Sequence, residues 1–517
     1  MEKRKIALSI MILLSFCVTA CGTREENKGQ SNEPASSQQS VKSSDKQSSS
    51  SKQQSQSSSS KSSSSKSSST YSEPFYTISS IEPSTLVGDN FNLIMPTDLS
   101  MMSANCKKYV DYMRAQQQKL IAEKGADYDY YINDLYGTNG VDITRGVLEG
   151  SNGGYRDGTD NNQFLDAVNA RWEDGEKSDE NKGVKIAFVP SAELTNKQYT
   201  ITYSKNADLS DSETIVTNNT SVRIKNLLVN QKYYYQVSAE GKASAIADFT
   251  TGDYPRWIDA RPMFNVRDHG GYMTSSGQRI KQGMVYRGGE ITPAVGWKSG
   301  STYKGDVGGR YTDSSGNMQD GHTTTQTADS KKVFRDVMGM VGGLEIDLRS
   351  GSSETGPSGQ AYTACGFANS GDISYQLWPI SSYANGLSNS RQNIKKVFDA
   401  IAQSDTKPVY YHCYGGADRT GTVGFLLGAI LGMSYTDLVI DFELTSYSSN
   451  PSRNYRSHLR NGPWNDWPNM VNTLKNSYGF SSSKTIKQAA EDYLKTNCSV
   501  SQDTINKIRE IMLEPAN

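Results

Sequence analysis

The sequence predicts a multidomain chain. Its parts are a C-terminal α/β domain with a mostly parallel sheet flanked by helices, a central β-sandwich, and a disordered Ser-rich N-terminal tether. Three observations lead there. From about residue 329 onward, strand-like and helix-like stretches alternate in the βαβ rhythm of a parallel sheet. Short runs of β-formers between turn signals fill residues 183–252. Residues 22–71 are almost wholly Ser, Lys and Gln, a composition that cannot offset the entropy of folding.

The α/β part is organised around residues 408–421. Val409 to His412 reads as a short buried strand, and Thr422 to Leu431 as a packed helix stopped by Gly432. Cys413 therefore ends a strand, and Arg419 opens a helix after a turn containing Gly415 and Gly416. That layout suits attack on a phosphate. Loop amides and a helix N-terminus attract an anion, and the same field favours the thiolate of Cys413. Arg419 offers a planar fork for two phosphate oxygens. Gly415 and Gly416 let the backbone approach a ligand, with Tyr414 and Ala417 completing the binding loop. Asp418 is the nearest acid able to protonate a leaving oxygen; its other reading is to fix the loop by accepting backbone N–H bonds. Thr420 reads either as a hydroxyl that steadies the thiolate or as a helix cap, and His412 as a structural group that shapes the loop.

His412-Cys413, five residues, then Arg419-Thr420-Gly421 resembles the signature loop of cysteine-dependent protein tyrosine phosphatases. The Asp418-Arg419-Thr420-Gly421 ending is most similar to the bacterial tyrosine/serine phosphatase family. Members usually carry Asn-Phe-Arg-Asp-Leu-Gly-Gly-Tyr, Tyr-Arg-Ser and Ile-Asp-Leu-Arg-Ser ahead of the loop. Here the counterparts are Asn265-Val266-Arg267-Asp268-His269-Gly270-Gly271-Tyr272, Tyr286-Arg287-Gly288 and Ile346-Asp347-Leu348-Arg349-Ser350. The resemblance implies a cysteinyl-phosphate intermediate, with Cys413 as nucleophile, Asp418 as acid and Arg419 as oxyanion clamp. It also implies Arg287 and Arg349 at the pocket as substrate-binding groups, and Asp268 and Asp347 in structural hydrogen bonds nearby. No metal or other cofactor is required. Many tyrosine phosphatases take their acid from a Trp-Pro-Asp loop; this chain has Trp378-Pro379-Ile380, which turns attention back to Asp418.

One departure bears on substrate. Ala417 stands where many members have lysine, which removes a cation from the pocket. A singly phosphorylated group such as phosphotyrosine in a protein fits that loss. A phosphoinositide or inositol phosphate is the alternative substrate, and a non-catalytic phosphate-binding surface adhesin is the alternative to an enzyme. A rhodanese-like sulfurtransferase would not need the Arg-Thr-Gly ending, and an arsenate reductase would need a dedicated resolving cysteine.

The rest of the chain frames this domain. Lys and Arg number 54 against 55 acidic residues in 517, so no global charge points to nucleic acid. Lys3, Arg4 and Lys5 precede an apolar run from Ile6 to Ala20, too short to span a membrane comfortably. Val18-Thr19-Ala20-Cys21 resembles a bacterial lipoprotein cleavage box. It implies that residues 1–20 are a signal peptide, that Cys21 is lipidated, and that the protein is anchored on the extracellular face of the bacterial cell membrane. The linker over 21–71 would span ~40 Å as a flexible coil. Few cysteines remain after that, too sparse for a disulfide scaffold; Cys365 reads as a buried small side chain or as a resolving partner for Cys413.

Within 72–182 the pattern of Cys106, Tyr109, Val110, Met113, Leu120 and Ile121 predicts one amphipathic helix near 104–124, and nothing else there is legible. In 183–252, Leu227 followed by Tyr233 and alternation through Tyr235, Val237 and Ala239 resembles the tyrosine corner of fibronectin type III domains. The span is short for a whole sandwich, so a first strand comes from upstream or is missing. Such modules imply a spacer or a protein-docking surface. Residues 253–517 form the catalytic domain, interrupted by a polar insertion near 291–325. The expected helices there are 329–340, 390–402, 436–447, 483–496 and 502–513, with strands at 344–348 and 374–377.

Overall fold

The computed structural model describes residues 83–125, 181–260, 263–291, 310–312, 318–320, 332–350, 372–448, 466–479, 481 and 484–515. All fall in the compact unit Ser79–Asn517. The signal segment, Cys21, the tether, Cys365 and most of the insertion lie outside the described residues.

Two sheets build the sandwich. The first has the order β1 (Thr85–Leu86), β2 (Phe91–Ile94), β3 (Val184–Pro190) and β6 (Ser221–Ile224), antiparallel throughout. The second runs β5 (Glu213–Thr217), β4 (Tyr199–Ser204), β7 (Lys232–Ala239), with β8 (Lys242–Ala243) and β9 (Ala247–Thr250) both paired to β7. Alternation decides the faces. Val184, Ile186 and Phe188 of β3 and Tyr233, Tyr235 and Val237 of β7 point into one core, where Phe91, Phe188 and Tyr199 meet edge to face. The Tyr233 hydroxyl accepts the Leu228 N–H at 3.0 Å, closing the corner that the Leu227–Tyr233 spacing suggests. The first strand does come from upstream: β2 pairs with β3 across a long sequence gap, ahead of the 183–252 span.

Helix α1 (Ala104–Lys124) begins on Ser103, whose hydroxyl accepts the Cys106 N–H at 3.2 Å. Cys106, Val110 and Met113 lie on one face and are buried, but in the core of the α/β domain and not in the sandwich. Burial of the Val and Met side chains contributes about 1.5–3 kcal/mol each. Arg114 Nη2 pairs with Asp437 at 3.3 Å, and the Tyr254 hydroxyl donates to Asp111 at 2.7 Å.

The α/β domain contains a five-stranded sheet. Its strands are β10 (Arg267–Asp268), β11 (Val285–Gly288), β14 (Leu344–Asp347), β15 (Ser374–Leu377) and β16 (Val409–His412), separated in sequence by a small hairpin of β12 (Arg310–Thr312) and β13 (Met318–Asp320). In space the order is β10-β11-β16-β14-β15, parallel except for the edge strand β10. Gly288 and Asp347 both register against His412, so three carboxyl ends finish side by side. This is where an open α/β sheet places its ligand.

The helices among the described residues of this domain are α2 (Tyr383–Asn389), α3 (Arg391–Gln403), α4 (Asp418–Leu431), α5 (Tyr435–Glu443), α6 (Asp466–Tyr478), α7 (Ile486–Thr496) and α8 (Gln502–Met512). Their apolar faces join Val285, Ile346, Val409 and Tyr411 in one core. Alternate residues Tyr286 and Tyr410 face the other way, against Ile258, Met263, Val266, Phe334 and Met340. Helices on both faces were expected; among the described residues that second face is covered instead by the 258–266 segment and one π turn, Val333–Val337. Of the helix expected at 329–340, the described part is that turn, which Gly339, in the left-handed region, follows; residues 329–331 lie outside the described residues. α4 is buried on every side from Thr420 to Leu431, which makes it the central helix of the domain.

Candidate active site

Cys413 sits where β16 leaves the sheet, and α4 starts with Asp418 and Arg419 after a five-residue loop. Cys413 is 2% exposed, and Asp418 and Arg419 are half-buried in the first turn of α4. The loop is held from behind through three successive carbonyls. The Glu290 N–H donates to the Tyr414 carbonyl at 3.0 Å, Asn265 Nδ2 to that of Gly415 at 3.0 Å, and Arg287 Nη2 to that of Gly416 at 3.1 Å. In a trans peptide the N–H points opposite to the C=O. The amides of Gly415, Gly416 and Ala417 therefore aim away from these donors, which is the geometry of an anion-binding nest. Gly416 adopts φ +65° to complete it.

Under the loop, Asp441 of α5 binds two arginines. Arg267 Nε donates to its Oδ1 at 3.2 Å, and Arg287 Nη1 donates to its Oδ2. Burial alone would raise the Asp441 carboxyl, but Arg287 and Arg267 outweigh it and hold the group well below the usual carboxylate range. Arg267 also reaches Asn265 and so ties this pair to the loop. Arg287, expected at the pocket, is thus a buried support: it is 1% exposed, and it is engaged by Asp441 and the Gly416 carbonyl.

Arg349 is likewise inside. It is 3% exposed, with Nη1 on Glu290 at 2.6 Å and Nη2 on Asp347 at 2.6 Å. Tyr375 adds a hydrogen bond to Asp347 at 3.0 Å. Burial pushes the Asp347 carboxyl up, yet Arg349 and then His412 bring it down to about 2. Since Glu290 also donates its N–H to the loop, Arg349 is joined to the loop through Glu290. His412 lies fully buried with Nε2 3.0 Å from Glu345 Oε1 and Nδ1 3.1 Å from the Cys413 carbonyl. Asp268 also serves structure, accepting from Arg256 and from the Gly270 and Gly283 N–H groups, each at 2.7 Å.

The cap of α4 is Ala417, so Thr420 stands inside the helix and does not cap it. Its Oγ1 is buried without a hydrogen-bond partner among the described residues. Trp378 packs against the core, and Pro379 is exposed but anchored by backbone: the Trp378 N–H reaches the Asp347 carbonyl at 2.8 Å, and Asn393 binds the Pro379 carbonyl at 2.7 Å. The Asp418 carboxyl accepts a hydrogen bond from the Tyr383 hydroxyl.

Sequence reasoning missed Glu290, Glu345, Tyr383 and Asp441 as parts of the site. Asp441 left a signal, because it interrupts the apolar stretch Val439-Ile440-Asp441-Phe442 on a helix buried along its length. An acid in such a place needs a partner.

Residues 258–296 and 368–514 match the model of the tyrosine phosphatase family. The matched segments contain Asn265–Tyr272, Tyr286–Gly288 and the whole loop from Cys413 to Thr420, so this part of the chain carries a tyrosine phosphatase family domain. No curated protein matches the chain.

Proposed function

We propose that the C-terminal domain is a cysteine-dependent phosphatase acting on phosphotyrosine in proteins. The observation that carries this reading is the nest of Gly415, Gly416 and Ala417 amides beside Cys413 at the head of α4, backed by carbonyls anchored to Glu290, Asn265 and Arg287. Phosphate oxygens bound there would have the helix N-terminus and Arg419 as further partners. The Cys413 thiolate attacks phosphorus while the P–O bond breaks, and the Asp418 carboxyl gives its proton to the departing oxygen. Water then displaces the sulfur from phosphorus and returns a proton to the Asp418 carboxylate. Donors aimed at the equatorial oxygens stabilise the charge that develops in both steps. Ala417 in place of a lysine favours one phosphate over several.

The setting is a lipoprotein held outside the cell by Cys21, with residues 22–71 as a tether. No described helix is long and apolar enough to cross a membrane, and the anchoring rests on the Val18–Cys21 box. The sandwich takes the part of a fibronectin type III-like module, and the Tyr233 corner supports that likeness.

The test is phosphate release by the purified protein, reduced and without metal. Its substrates are a phosphotyrosine peptide, a phosphoserine peptide and a phosphoinositide, with Cys413→Ser as control. Turnover of the phosphotyrosine peptide that disappears in the variant supports the proposal. Preference for the phosphoinositide would replace the substrate, and no release from any of them would point to a phosphate-binding module.

A further inference from the structure

The acid is gripped by a tyrosine that the loop motif does not contain. Tyr383 lies at the first position of α2, five residues beyond Trp378, and its hydroxyl donates to Asp418 Oδ1. The residue is fixed at both ends. Its N–H donates to Thr422 Oγ1 at 2.6 Å, and that hydroxyl donates in turn to the Asp418 carbonyl at 3.0 Å. Its ring packs against Phe442 with centroids 5.9 Å apart, and the side chain is 7% exposed. Its φ of +53° is one that a bulky L residue rarely adopts, so the surrounding contacts hold it in place. α2 is thereby stapled to the first turn of α4 through backbone and side chain together.

We infer that Tyr383 is the positioning residue of the general acid, fixing which oxygen of Asp418 carries the proton to the leaving group. This rests on the phosphatase reading above. With Oδ1 occupied by the tyrosine O–H, the transferable proton resides on Oδ2. During the first step the S–P bond forms, the P–O bond breaks, and the Oδ2 proton moves to the leaving oxygen. The Tyr383 hydroxyl keeps its own proton and strengthens its bond as charge appears on the carboxylate. In the second step the proton from water returns to Oδ2. The Trp-Pro-Asp loop of other tyrosine phosphatases delivers an acid. Here the corresponding stretch, Trp378-Pro379-Ile380, leads instead into the residue that aims one.

The experiment compares Tyr383→Phe with the unaltered full chain on a phosphotyrosine peptide and on p-nitrophenyl phosphate, whose leaving group departs with little help from an acid. The expected result is a kcat about tenfold lower on the peptide, an unchanged KM, and less than a twofold change on p-nitrophenyl phosphate. In an Asp418→Asn background, Tyr383→Phe should add nothing. Thr422→Val, which removes the acceptor of the Tyr383 N–H, gives a second route and should reproduce part of the leaving-group effect if Tyr383→Phe does not fold. Equal losses on both substrates, or full additivity with Asp418→Asn, would overturn the inference. Activity no higher than that of Cys413→Ser in the unaltered chain would instead remove the phosphatase reading itself.

Discussion

Gly416 and Gly288 pass each other with only backbone between them: a Cβ on Gly416 would lie 2.3 Å from the Gly288 carbonyl carbon. The Cys413–Ala417 loop thus rests directly on the end of β11. A Cβ on Gly288 would in turn lie 2.3 Å from the Tyr410 hydroxyl, so glycine fits where related sequences carry serine.

Gly416→Ala should therefore damage both stability and turnover. The left-handed φ costs about 1–2 kcal/mol for an alanine, and the clash with backbone forces the loop off β11. A displacement near 1 Å at a reacting group lowers rates by about a hundredfold. Phosphate release and a melting curve on the same sample will show whether the two losses occur together.

Asp441→Asn should be among the most destabilising single changes in the domain. It leaves Arg267 and Arg287 facing each other, buried, with no compensating charge. Loss of one partner from such a group costs about 3–5 kcal/mol. Denaturant titration at neutral pH gives the number. An unchanged midpoint would mean that the network contributes nothing to the fold.

Arg349→Ala separates support from substrate contact. Removing the guanidinium leaves Asp347 and Glu290 buried without their cation, so stability should fall by about 3 kcal/mol. If Arg349 instead touched substrate, KM would rise while the melting temperature held. Asp347 adds a pH signature. Its folded carboxyl sits at about 2, below the unfolded value, so its contribution is intact above about pH 4 and fades as pH falls from there towards 2.

His269 gives the same sign over a higher window. It is buried between the Tyr411 hydroxyl, Arg267, Arg287 and Asp441, and burial, helped by both arginines, pushes it down to about 3. The unfolded histidine binds a proton below about pH 6.5. From there down to about pH 3 the unfolded state holds the extra proton, so stability drops by up to about 1.4 kcal/mol per pH unit. His269→Leu, which restores the residue usual in the family motif, should flatten that slope between pH 6 and 4. Denaturant midpoints at several pH values read it directly.

Much of this site could be read in advance because the chemistry is local. Strand, loop and helix from Val409 to Leu431 are contiguous, so one run of residues holds Cys413, the glycines and Arg419 on which the proposal rests. The same holds for Ala104–Lys124 and Gln502–Met512, where the apolar repeat lies within the element. What escaped was encoded across distance. The pairing of Arg287 with Asp441 spans 154 positions, and that of His412 with Glu345 spans 67, and neither has a spacing that periodicity can reveal. An arginine near a motif looks alike whether it meets substrate or a buried acid. α2 escaped for a different reason: it is seven residues long and carries Gly386. α6 has Pro468 in its first turn, which reads as a break although that position tolerates it.

The route of the chain through α1 has a consequence for how this protein can be inherited. From β2 in the sandwich the backbone enters the catalytic core at Cys106, Val110 and Met113, returns to the sandwich at β3, and leaves it again at Asp253. Arg256 then joins the carbonyls of Asn226 and Leu227 to Asp268, within the motif that precedes the phosphate loop. A recombination breakpoint between residues 95 and 252 would divide one core or strip a helix from the other. The sandwich is therefore not an exchangeable cassette: moving it alone would leave one of the two cores incomplete.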